Sequence, residues 1–299
     1  MTTVSDERKR SNDHLQVFLY FGALIFLIAF VNPIYFLTDI PTSYMLKNQL
    51  HANADQVSLF RWTTGIPAYF AFVFGLTRDR WNPLGMRDRG LLVIFGPLTG
   101  LCFVWLAFQH VTYTNLYIGM LLVMLSSRMI VAAYQGLITL IAQEKMMSGR
   151  LATLWNVVAY LPFAAGAWLG GQISSRLTPM QIFASLAVLS ALIGVLGFWK
   201  PRAVFTHAYD QPEASTSNFW QDVRRLFSYR AIYPAVLIMY LWNFAPGFNT
   251  PLQYYFSNTL RASDEIYADF QAIFTLSFIP TLLIFGWLCK RYPLRKLLL

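Results

Sequence analysis

Two stretches of this chain repeat each other at a distance of 210 residues. They read Pro41-Thr-Ser-Tyr44-Met-Leu-Lys-Asn48-Gln-Leu50-His-Ala52 and Pro251-Leu-Gln-Tyr254-Tyr-Phe-Ser-Asn258-Thr-Leu260-Arg-Ala262. Five positions are identical at this single offset. An apolar run precedes each copy, and a polar link, a second apolar run and a basic loop follow it. Such a pattern indicates a duplicated unit of several membrane helices.

The basic loops after these runs also match each other. The first reads Phe74-Gly75-Leu-Thr-Arg78-Asp79-Arg80-Trp81-Asn-Pro83-Leu84, and the second reads Phe285-Gly286-Trp-Leu-Cys-Lys290-Arg291-Tyr292-Pro293-Leu294. The offset is 211 at the glycine and 210 at the proline. The repeat therefore extends over two apolar runs and the loop that follows them.

The composition indicates a membrane protein. Of the residues, 56% are hydrophobic and only 12% are charged, which is too few charges for a soluble domain of this size. The net charge of +9 is divided among short clusters between apolar runs, so we do not expect nucleic-acid binding. The four histidines are scattered, and both cysteines lie in apolar runs, so we expect neither a metal nor another cofactor.

A membrane helix needs about 20 mostly apolar residues. Because lipid offers the backbone no hydrogen-bond partner, every span must be helical, and the sequence predicts an all-α membrane protein. The eight predicted spans are residues 15–38, 56–77, 90–110, 114–143, 150–172, 179–199, 231–256 and 266–289. The basic run 8–10 before the first span resembles a signal peptide, but the apolar stretch is long enough to span, and we interpret it as a retained helix.

The basic residues predict the orientation. If the N-terminus is cytoplasmic and the spans alternate, cytoplasmic segments hold 18 lysines and arginines and outer links hold 3. The positive-inside rule therefore places both ends of this chain in the cytoplasm. In a bacterial cell the membrane would be the inner one.

The longest polar stretch divides the chain into three predicted parts. Residues 1–199 form a six-helix bundle, residues 200–230 form a cytoplasmic linker with a short amphipathic helix, and residues 231–299 begin a second bundle with helices seven and eight. By the repeat, four more spans are expected after residue 299, so eight helices of an expected twelve are present and we interpret the chain as a fragment.

Six spans, a long link and a second half that begins like the first resemble the major facilitator superfamily. The loop after span two carries the family's best-known motif, here Gly75-Leu-Thr-Arg78-Asp79-Arg80-Trp-Asn-Pro-Leu-Gly85-Met-Arg87-Asp-Arg89. Residues 41–89 and 292–296 are similar to the folate–biopterin transporter branch. That branch has acidic residues in the fourth helix, where this chain has Gln135 and Thr139. The resemblance implies a secondary transporter and no enzyme.

The motif loop predicts a gate. A carboxylate at the end of a span can pair with loop arginines and bond to a neighbouring helix N-terminus, and such a contact is reversible. We therefore expect Asp79 to help close the inner face. For the arginines alone, the alternative is that they only fix the topology. The predicted gating residues are Gly75, Asp79, Arg80, Gly85, Arg87, Arg89, Gly286 and Arg291.

Arg128 lies near the middle of span four, where an arginine is costly and usually faces a cavity or the bundle interior. Ala132, Gln135 and Thr139 follow it at helical spacing and form a small or polar stripe. A guanidinium binds carboxylate or phosphate in a fork, so Arg128 is a candidate for an anionic part of a solute. The alternative is a structural ion pair or a bond to helix carbonyls.

Other polar residues within the spans complete the candidate site. Span one has Asn32 and Asp39 on a polar stripe; Asp39 is a candidate for a proton or cation, or else is solvated, because Pro41 is expected to end the helix nearby. Span seven has Asn243 and Asn249 around two prolines and a glycine, where a broken helix would line a cavity. Arg61 is expected to reach the bilayer interface. The predicted solute-binding residues are Arg128, Gln135, Asn243, Asn249, Asn32 and Asp39.

The main hypothesis is a secondary transporter that moves a small organic solute, anionic if Arg128 binds it, by alternating access. Its expected partners are this solute, the lipid bilayer and a coupling proton or cation in a symporter or antiporter. A second hypothesis is a sensor or scaffold that has the same fold but does not transport. A membrane enzyme is the third, although it would need clustered carboxylates or histidines at one membrane face.

Overall fold

The computed structural model describes residues 4–144, 148–205, 219–230, 232–243 and 249–291 of the chain. Every regular element in these ranges is a helix, which confirms the prediction of an all-α protein. The helices are α1 Val4–Val31, α2 Phe36–Tyr44, α3 Ala54–Tyr69, α4 Ala71–Arg80, α5 Asp88–Phe108, α6 Tyr113–Glu144, α7 Ser148–Arg176, α8 Pro179–Phe198, α9 Phe219–Ser228, α10 Ile232–Asn243, α11 Asn249–Asn258 and α12 Asp264–Arg291. A π turn at Met45–Gln49 extends α2, and a 3₁₀ turn at Pro83–Gly85 follows α4.

Four helical segments in the described part of the chain are long and apolar enough to cross a membrane. They are Asp13–Gln49, Asp88–Phe108, Tyr113–Glu144 and Pro179–Phe198. Each contains or overlaps one predicted span. The other four predicted stretches fall on α3 with α4, on α7, on α10 with α11, and on α12.

The first span differs from its prediction in where the helix is interrupted. Pro41 does not end the helix but lies inside α2, whereas the interruption comes earlier, between Val31 and Phe36. Pro33 explains the position, because proline lacks an N–H and disfavours helical backbone in the residue before it. The Thr38 hydroxyl lies 3.4 Å from the Val31 carbonyl oxygen and supplies a donor that the interrupted helix lacks there.

The repeated stretches end in the same backbone turn. Leu50 N donates to the Met45 carbonyl at 3.1 Å, and Leu260 N donates to the Tyr255 carbonyl at 3.1 Å. Both bonds span five residues. The next residue in each copy, His51 or Arg261, has a φ of 51°.

The end of each turn is closed in the same way. Ala52 N and Ala262 N each donate at 2.9 Å to the carbonyl six residues earlier. Then Asn53 caps α3 by accepting from Gln56 N, and Ser263 accepts from Ile266 N at the start of α12. The sequence repeat is therefore also a repeat of local structure.

Glycines allow α7 to pack closely on both of its neighbours. A Cβ at Gly170 would lie 3.1 Å from the Phe36 carbonyl oxygen in α2. A Cβ at Gly171 would overlap the Cβ of Ala268 in α12. Helix α7 thus joins the first part of the chain to the second, with Ile40, Ala167 and Ala272 in a small buried cluster between them.

The bundle has two ends, which we name after one residue at each. The Asn53 end carries the links 50–53, 109–112 and 259–263, and the Asp88 end carries the links 81–87 and 199–205. Contacts between helix ends beside these links support this grouping. Tyr113 contacts the Gln56 carbonyl at the Asn53 end, and Arg89 donates to the Gly197 carbonyl at the Asp88 end.

Candidate functional site

Arg128 is buried in the middle of α6, with 9% of its surface exposed. Its Nη2 atom donates to Asn32 Oδ1 at 2.9 Å, across the packing of α6 against the interrupted first span. The same Asn32 oxygen lies 3.3 Å from Ile34 N, which stabilises the backbone at the interruption. Two of the predicted solute-binding residues are thus in direct contact, although they are 96 residues apart in the sequence.

The guanidinium of Arg128 keeps unused hydrogen-bonding capacity. Its Nε atom is buried and has no hydrogen-bond partner, one of three such side-chain atoms in the described residues. Asn32 is neutral, and within that part of the chain no carboxylate forms an ion pair with Arg128. A buried charge without a counter-charge is costly, so an anion placed here would be stabilised.

A series of aromatic rings starts at Tyr35, three residues after Asn32. The Tyr35 ring stacks at a tilt on Phe163 of α7, with their centroids 4.3 Å apart. Phe163 contacts Tyr160, and Tyr160 contacts Phe278 of α12 at 6.0 Å. The rings therefore form a continuous series from the neighbourhood of Asn32 to the second part of the chain.

The structure does not bring Gln135 together with Arg128. Gln135 lies seven residues further along α6, which is about 10 Å at the rise of an α-helix, and its side chain is exposed. Thr139 on the same stripe donates to the Gln135 backbone carbonyl at 2.7 Å. The side chains of Asn243 and Asn249 and the predicted helix break at residues 246–247 lie outside the described residues.

Asp39 and Arg61 form an ion pair between α2 and α3. Arg61 Nε donates to Asp39 Oδ1 at 2.9 Å, and Nη2 donates to Oδ2 at 2.7 Å. The guanidinium also donates to the hydroxyls of Ser43 and Thr250. The expectation that Arg61 reaches the bilayer interface is wrong, because these four acceptors hold its side chain between the two parts of the chain.

A second polar cluster lies closer to the Asn53 end. Lys47 in the π turn donates to Asp264 Oδ1 at 2.9 Å and to Ser257 Oγ at 2.6 Å. Asn48 donates to the other oxygen of the same carboxylate at 2.7 Å. Asp264 is the first residue of α12, so a carboxylate there also interacts favourably with the helix dipole.

In the basic loop, the buried carboxylate is Asp88. Only 4% of its side chain is exposed, and Arg78 binds it through both Nε and Nη2, the latter at 2.9 Å. The Arg78 guanidinium lies against Gly136 of α6, where any side chain would overlap it. These contacts fix the loop to α6 at the Asp88 end.

Asp79, the predicted gating carboxylate, is the more exposed partner of the same arginine. It accepts from Arg78 Nη1 at 2.9 Å, and 58% of its side chain is exposed. Arg89 donates to the carbonyls of Gly197 and Phe198 at the end of α8 and lies over the Phe205 ring. Arg89 therefore joins the motif loop to the last link of the first six predicted spans.

The remaining motif residues make local contacts or have surroundings that the structure does not describe. Gly85 has a φ of +66°, a conformation that favours glycine, and the backbone N–H of Arg87 donates to Asn82 at 2.6 Å. Gly75 and Arg80 belong to α4, and a Cβ at Gly75 would meet nothing within 4 Å. Gly286 and Arg291 fall on α12, but their surroundings are outside what the structure describes.

Among the residues of these clusters that sequence reasoning misses are Arg61, Asp88 and Asp264. The sequence predicts an interfacial Arg61 and singles out neither of the two carboxylates. Each of the two carboxylates begins a long helix, where an acidic residue is favourable anyway, so their position alone indicates nothing more than a helix start. The described residues contain no group of three or more histidines, cysteines or carboxylates placed to hold a metal ion.

Comparison with known proteins gives the family. The family model described as Major Facilitator Superfamily matches residues 15–299, which is nearly the whole chain. Searches of curated proteins and of solved structures found no match. Members of this superfamily are generally membrane transporters for small molecules. The chain therefore belongs to the major facilitator superfamily of membrane transport proteins.

Proposed function

We propose that this protein is a secondary active transporter of a small organic anion and that the solute binds at Arg128. The observation that carries the proposal is the buried Arg128 Nε without a partner, next to a single hydrogen bond from Nη2 to neutral Asn32. A guanidinium offers two parallel donors to a carboxylate or phosphate. A bound anion would accept a hydrogen bond from Arg128 Nε and would compensate the buried positive charge of the guanidinium.

The solute class follows from the surroundings of the arginine. The Tyr35, Phe163, Tyr160 and Phe278 rings provide an apolar and aromatic wall, which suits a solute with a planar or apolar body. Gln135, Asn243 and Asn249 remain candidates for further polar contacts. Because Gln135 and Thr139 replace the acidic residues of the folate–biopterin branch, we do not restrict the solute to pterins.

We further propose that the chain crosses the membrane eight times with the Asp88 end in the cytoplasm. The division of basic residues, 18 against 3, supports this orientation. Residues 1–199 then form one bundle, and residues 231–299 belong to a second bundle that moves against it. Single cysteines at Met86 and Arg202 should react only with reagent on the cytoplasmic side, and one at Thr112 only with external reagent. Labelling of the cysteines at positions 86 and 202 from opposite sides of the membrane would overturn this topology.

In this scheme, the motif loop is the inner gate. Asp79 is exposed and bonded to Arg78, so it is positioned to exchange partners when the two bundles rock. Gly75, Arg80, Gly85, Arg87, Arg89, Gly286 and Arg291 are the other proposed residues of this gate. Asp39 is the proposed site for a coupling proton or cation, because it is a carboxylate within the first span.

Uptake into proteoliposomes would test the transport function. We expect the protein to take up some members of a panel of organic mono- and dicarboxylates, with a rate that depends on an imposed pH gradient if a proton is coupled. Arg128→Gln should abolish uptake, while Arg176→Gln, which changes an arginine at the end of α7, should not. Full uptake by Arg128→Gln would exclude this site. Binding of a carboxylate without any uptake would favour a sensor or scaffold.

A further inference from the structure

An apolar groove lies between the first span, α7 and α8. It is a cavity of about 260 Å³. Two apolar side chains from each of the three elements line most of it: Phe30 and Leu37 of the first span, Leu169 and Ile173 of α7, and Leu186 and Leu189 of α8. Phe26 at its rim is exposed, so the groove opens at the surface of the bundle.

No polar group in the described lining of the apolar groove requires water. Ser185 is the one polar side chain there, and its hydroxyl donates to the Gln181 carbonyl of its own helix at 2.8 Å. A cavity with apolar walls stays dry. The groove lies on two segments that are long and apolar enough to cross a membrane, Asp13–Gln49 and Pro179–Phe198, so the medium around it is lipid.

A smaller pocket of about 80 Å³ continues the groove along the same helices. Ile182 of α8 lines both of them. On α2 and its π turn, Leu37 lines the groove, and Pro41, Tyr44 and Asn48 line the pocket. These four positions follow each other at intervals of three or four residues, which places them on one helical face. The groove and the pocket are therefore two parts of one continuous depression.

The pocket differs from the groove in polarity. It carries the amides of Asn48 and Gln49 and the hydroxyls of Tyr44 and Ser174. Its volume is enough for several water molecules, since one water needs about 10–15 Å³ of such space. A polar part that water can enter thus adjoins an apolar part that stays dry.

The polar pocket lies at the Asn53 end, and the apolar groove reaches from there towards the middle of the membrane. The Ser175 hydroxyl at the end of α7 donates to Glu265 Oε1 at 2.8 Å, next to the link 259–263, so the link from α7 to α8 belongs to the Asn53 end. Leu189 of the groove lies ten residues after Pro179, which is about 15 Å at the rise of an α-helix. This depth equals one leaflet, since the hydrocarbon core is about 30 Å thick.

We propose that this depression binds one phospholipid, with an acyl chain in the apolar groove and the glycerol and phosphate oxygens at the polar pocket. An unfilled groove leaves its lining atoms without partners on one side, and an acyl chain supplies the missing dispersion contacts. The ester and phosphate oxygens are acceptors, which match the N–H donors of the Gln49 amide. In the proposed orientation this lipid belongs to the outer leaflet, but the site itself does not depend on the orientation.

The acyl chain packs against the interruption of the first span. Phe30 and Leu37 stand on either side of the interrupted residues 32–35, and both line the groove. The same interruption carries Asn32, which accepts a hydrogen bond from Arg128. The lipid therefore contributes to holding the backbone that places Asn32 beside Arg128.

Photo-crosslinking in detergent tests the site. The protein is purified in a maltoside detergent and mixed with a small amount of phosphatidylglycerol that carries a diazirine in one acyl chain. After irradiation, mass spectrometry of the digested protein locates the adducts. We expect adducts at Ile173 and Leu189 in the groove and few at Val188 and Val195, which are exposed on α8 where detergent replaces lipid.

Two variants at neighbouring positions of α8 provide the comparison. Ser185→Trp places a large side chain in the groove, and Ala184→Trp places the same side chain at an exposed position outside it. Ser185→Trp should lower the yield of groove adducts about tenfold or more, because close-packed atoms cannot share one volume. Ala184→Trp should leave this yield unchanged. Added phosphatidylglycerol should raise the unfolding temperature of Ala184→Trp more than that of Ser185→Trp, as a ligand of the folded state does.

Crosslinking needs neither a solute nor uptake, so it is independent of the proposed transport function. Equal adduct yields at groove and exposed positions of the wild-type protein would overturn the site, because detergent would then replace lipid in both places. Groove adducts that persist in Ser185→Trp would overturn it too. Adducts that are concentrated in the groove and lost only in Ser185→Trp would support the phospholipid site, even if no carboxylate were transported.

Discussion

Arg61 and Asp39 bind each other through two parallel hydrogen bonds of 2.9 and 2.7 Å while the same guanidinium reaches Thr250 in the second part of the chain. The two residues are 22 positions apart, on helices that are joined by the first copy of the repeat. The pair therefore couples the conformation of α2 and α3 to the position of α11. A change in the charge of Asp39 would alter how firmly Arg61 holds that position.

Asp39→Asn should destabilise the protein because it leaves the Arg61 guanidinium, 22% exposed, without its counter-charge. We expect a loss of about 1–3 kcal/mol in the free energy of unfolding, the cost of breaking a charge-assisted hydrogen-bonded pair. Thermal unfolding in detergent measures the effect as a lower transition temperature. Asp269→Asn, which alters an exposed carboxylate of α12, should have little effect.

The double variant Asp39→Asn with Arg61→Gln distinguishes an unpaired charge from a general packing defect. It removes the uncompensated guanidinium and should recover part of the lost stability, as coupled residues do in double-mutant cycles. Losses that simply add would show that the two side chains act independently and would contradict the coupling.

The lengths and composition of the apolar runs predict most of the helices. In lipid the backbone must form its hydrogen bonds internally, and an apolar run of about 20 residues does so as a helix. The two copies of the repeat also end in the same turn, as the matching hydrogen bonds of Leu50 with Leu260 and of Ala52 with Ala262 show. The short helix Phe219–Ser228 lies where the apolar spacing predicts one. These features depend on local sequence, so they could be predicted from it.

The contacts between distant helices could not be predicted in the same way. Lys47 and Asp264 are 217 residues apart, and no local pattern states that a π turn will place one beside the other. From the sequence, the Arg61 guanidinium could be solvated at the bilayer interface or paired inside the bundle. Its ion pair with Asp39 shows that it is paired inside the bundle. The prediction that Pro41 ends the helix is wrong for a similar reason. A proline within a helix is tolerated where neighbouring groups satisfy the backbone.

Asn32→Asp should inhibit transport by placing a carboxylate of the protein next to Arg128. The 2.9 Å contact between Arg128 Nη2 and the Asn32 side chain would become an ion pair, which would compete with an anionic solute. We expect the half-saturating solute concentration in uptake assays to rise about tenfold or more, which corresponds to about 1.4 kcal/mol of lost binding. Asn32→Ser keeps the site neutral and should raise the half-saturating solute concentration less. A normal half-saturating concentration in Asn32→Asp would separate Arg128 from the solute site.

Asp79 and Asp88 both bind Arg78, but replacing them should have different effects on stability and on uptake. Asp88 is buried, so Asp88→Asn leaves Arg78 partly unpaired and should lower the free energy of unfolding by about 2–4 kcal/mol. Asp79 is exposed, so Asp79→Asn should leave stability nearly unchanged and reduce the maximal uptake rate more than solute affinity. Thermal unfolding and uptake kinetics on both variants provide the comparison. Equal stability losses would mean that both carboxylates are structural, and unimpaired uptake in Asp79→Asn would rule out its role in the gate.

Gly171→Ala tests the contact through which α7 joins the two parts of the chain. The added methyl group would overlap the Cβ of Ala268, and relieving that overlap would push α12 away from α7. Overpacking of this kind costs about 1–3 kcal/mol, against a gain of about 1 kcal/mol from replacing a helical glycine by alanine. We therefore expect a net loss of stability in thermal unfolding. Gly65→Ala, where the added carbon meets nothing within 4 Å, should be neutral or stabilising.

The size swap Gly171→Ala with Ala268→Gly decides whether this single contact is responsible. It moves one methyl group from α12 to α7 and keeps the volume between the helices constant, so packing should recover, less the cost of a new glycine inside α12. If the swap does not restore stability, then the loss in Gly171→Ala does not come from this contact between α7 and α12.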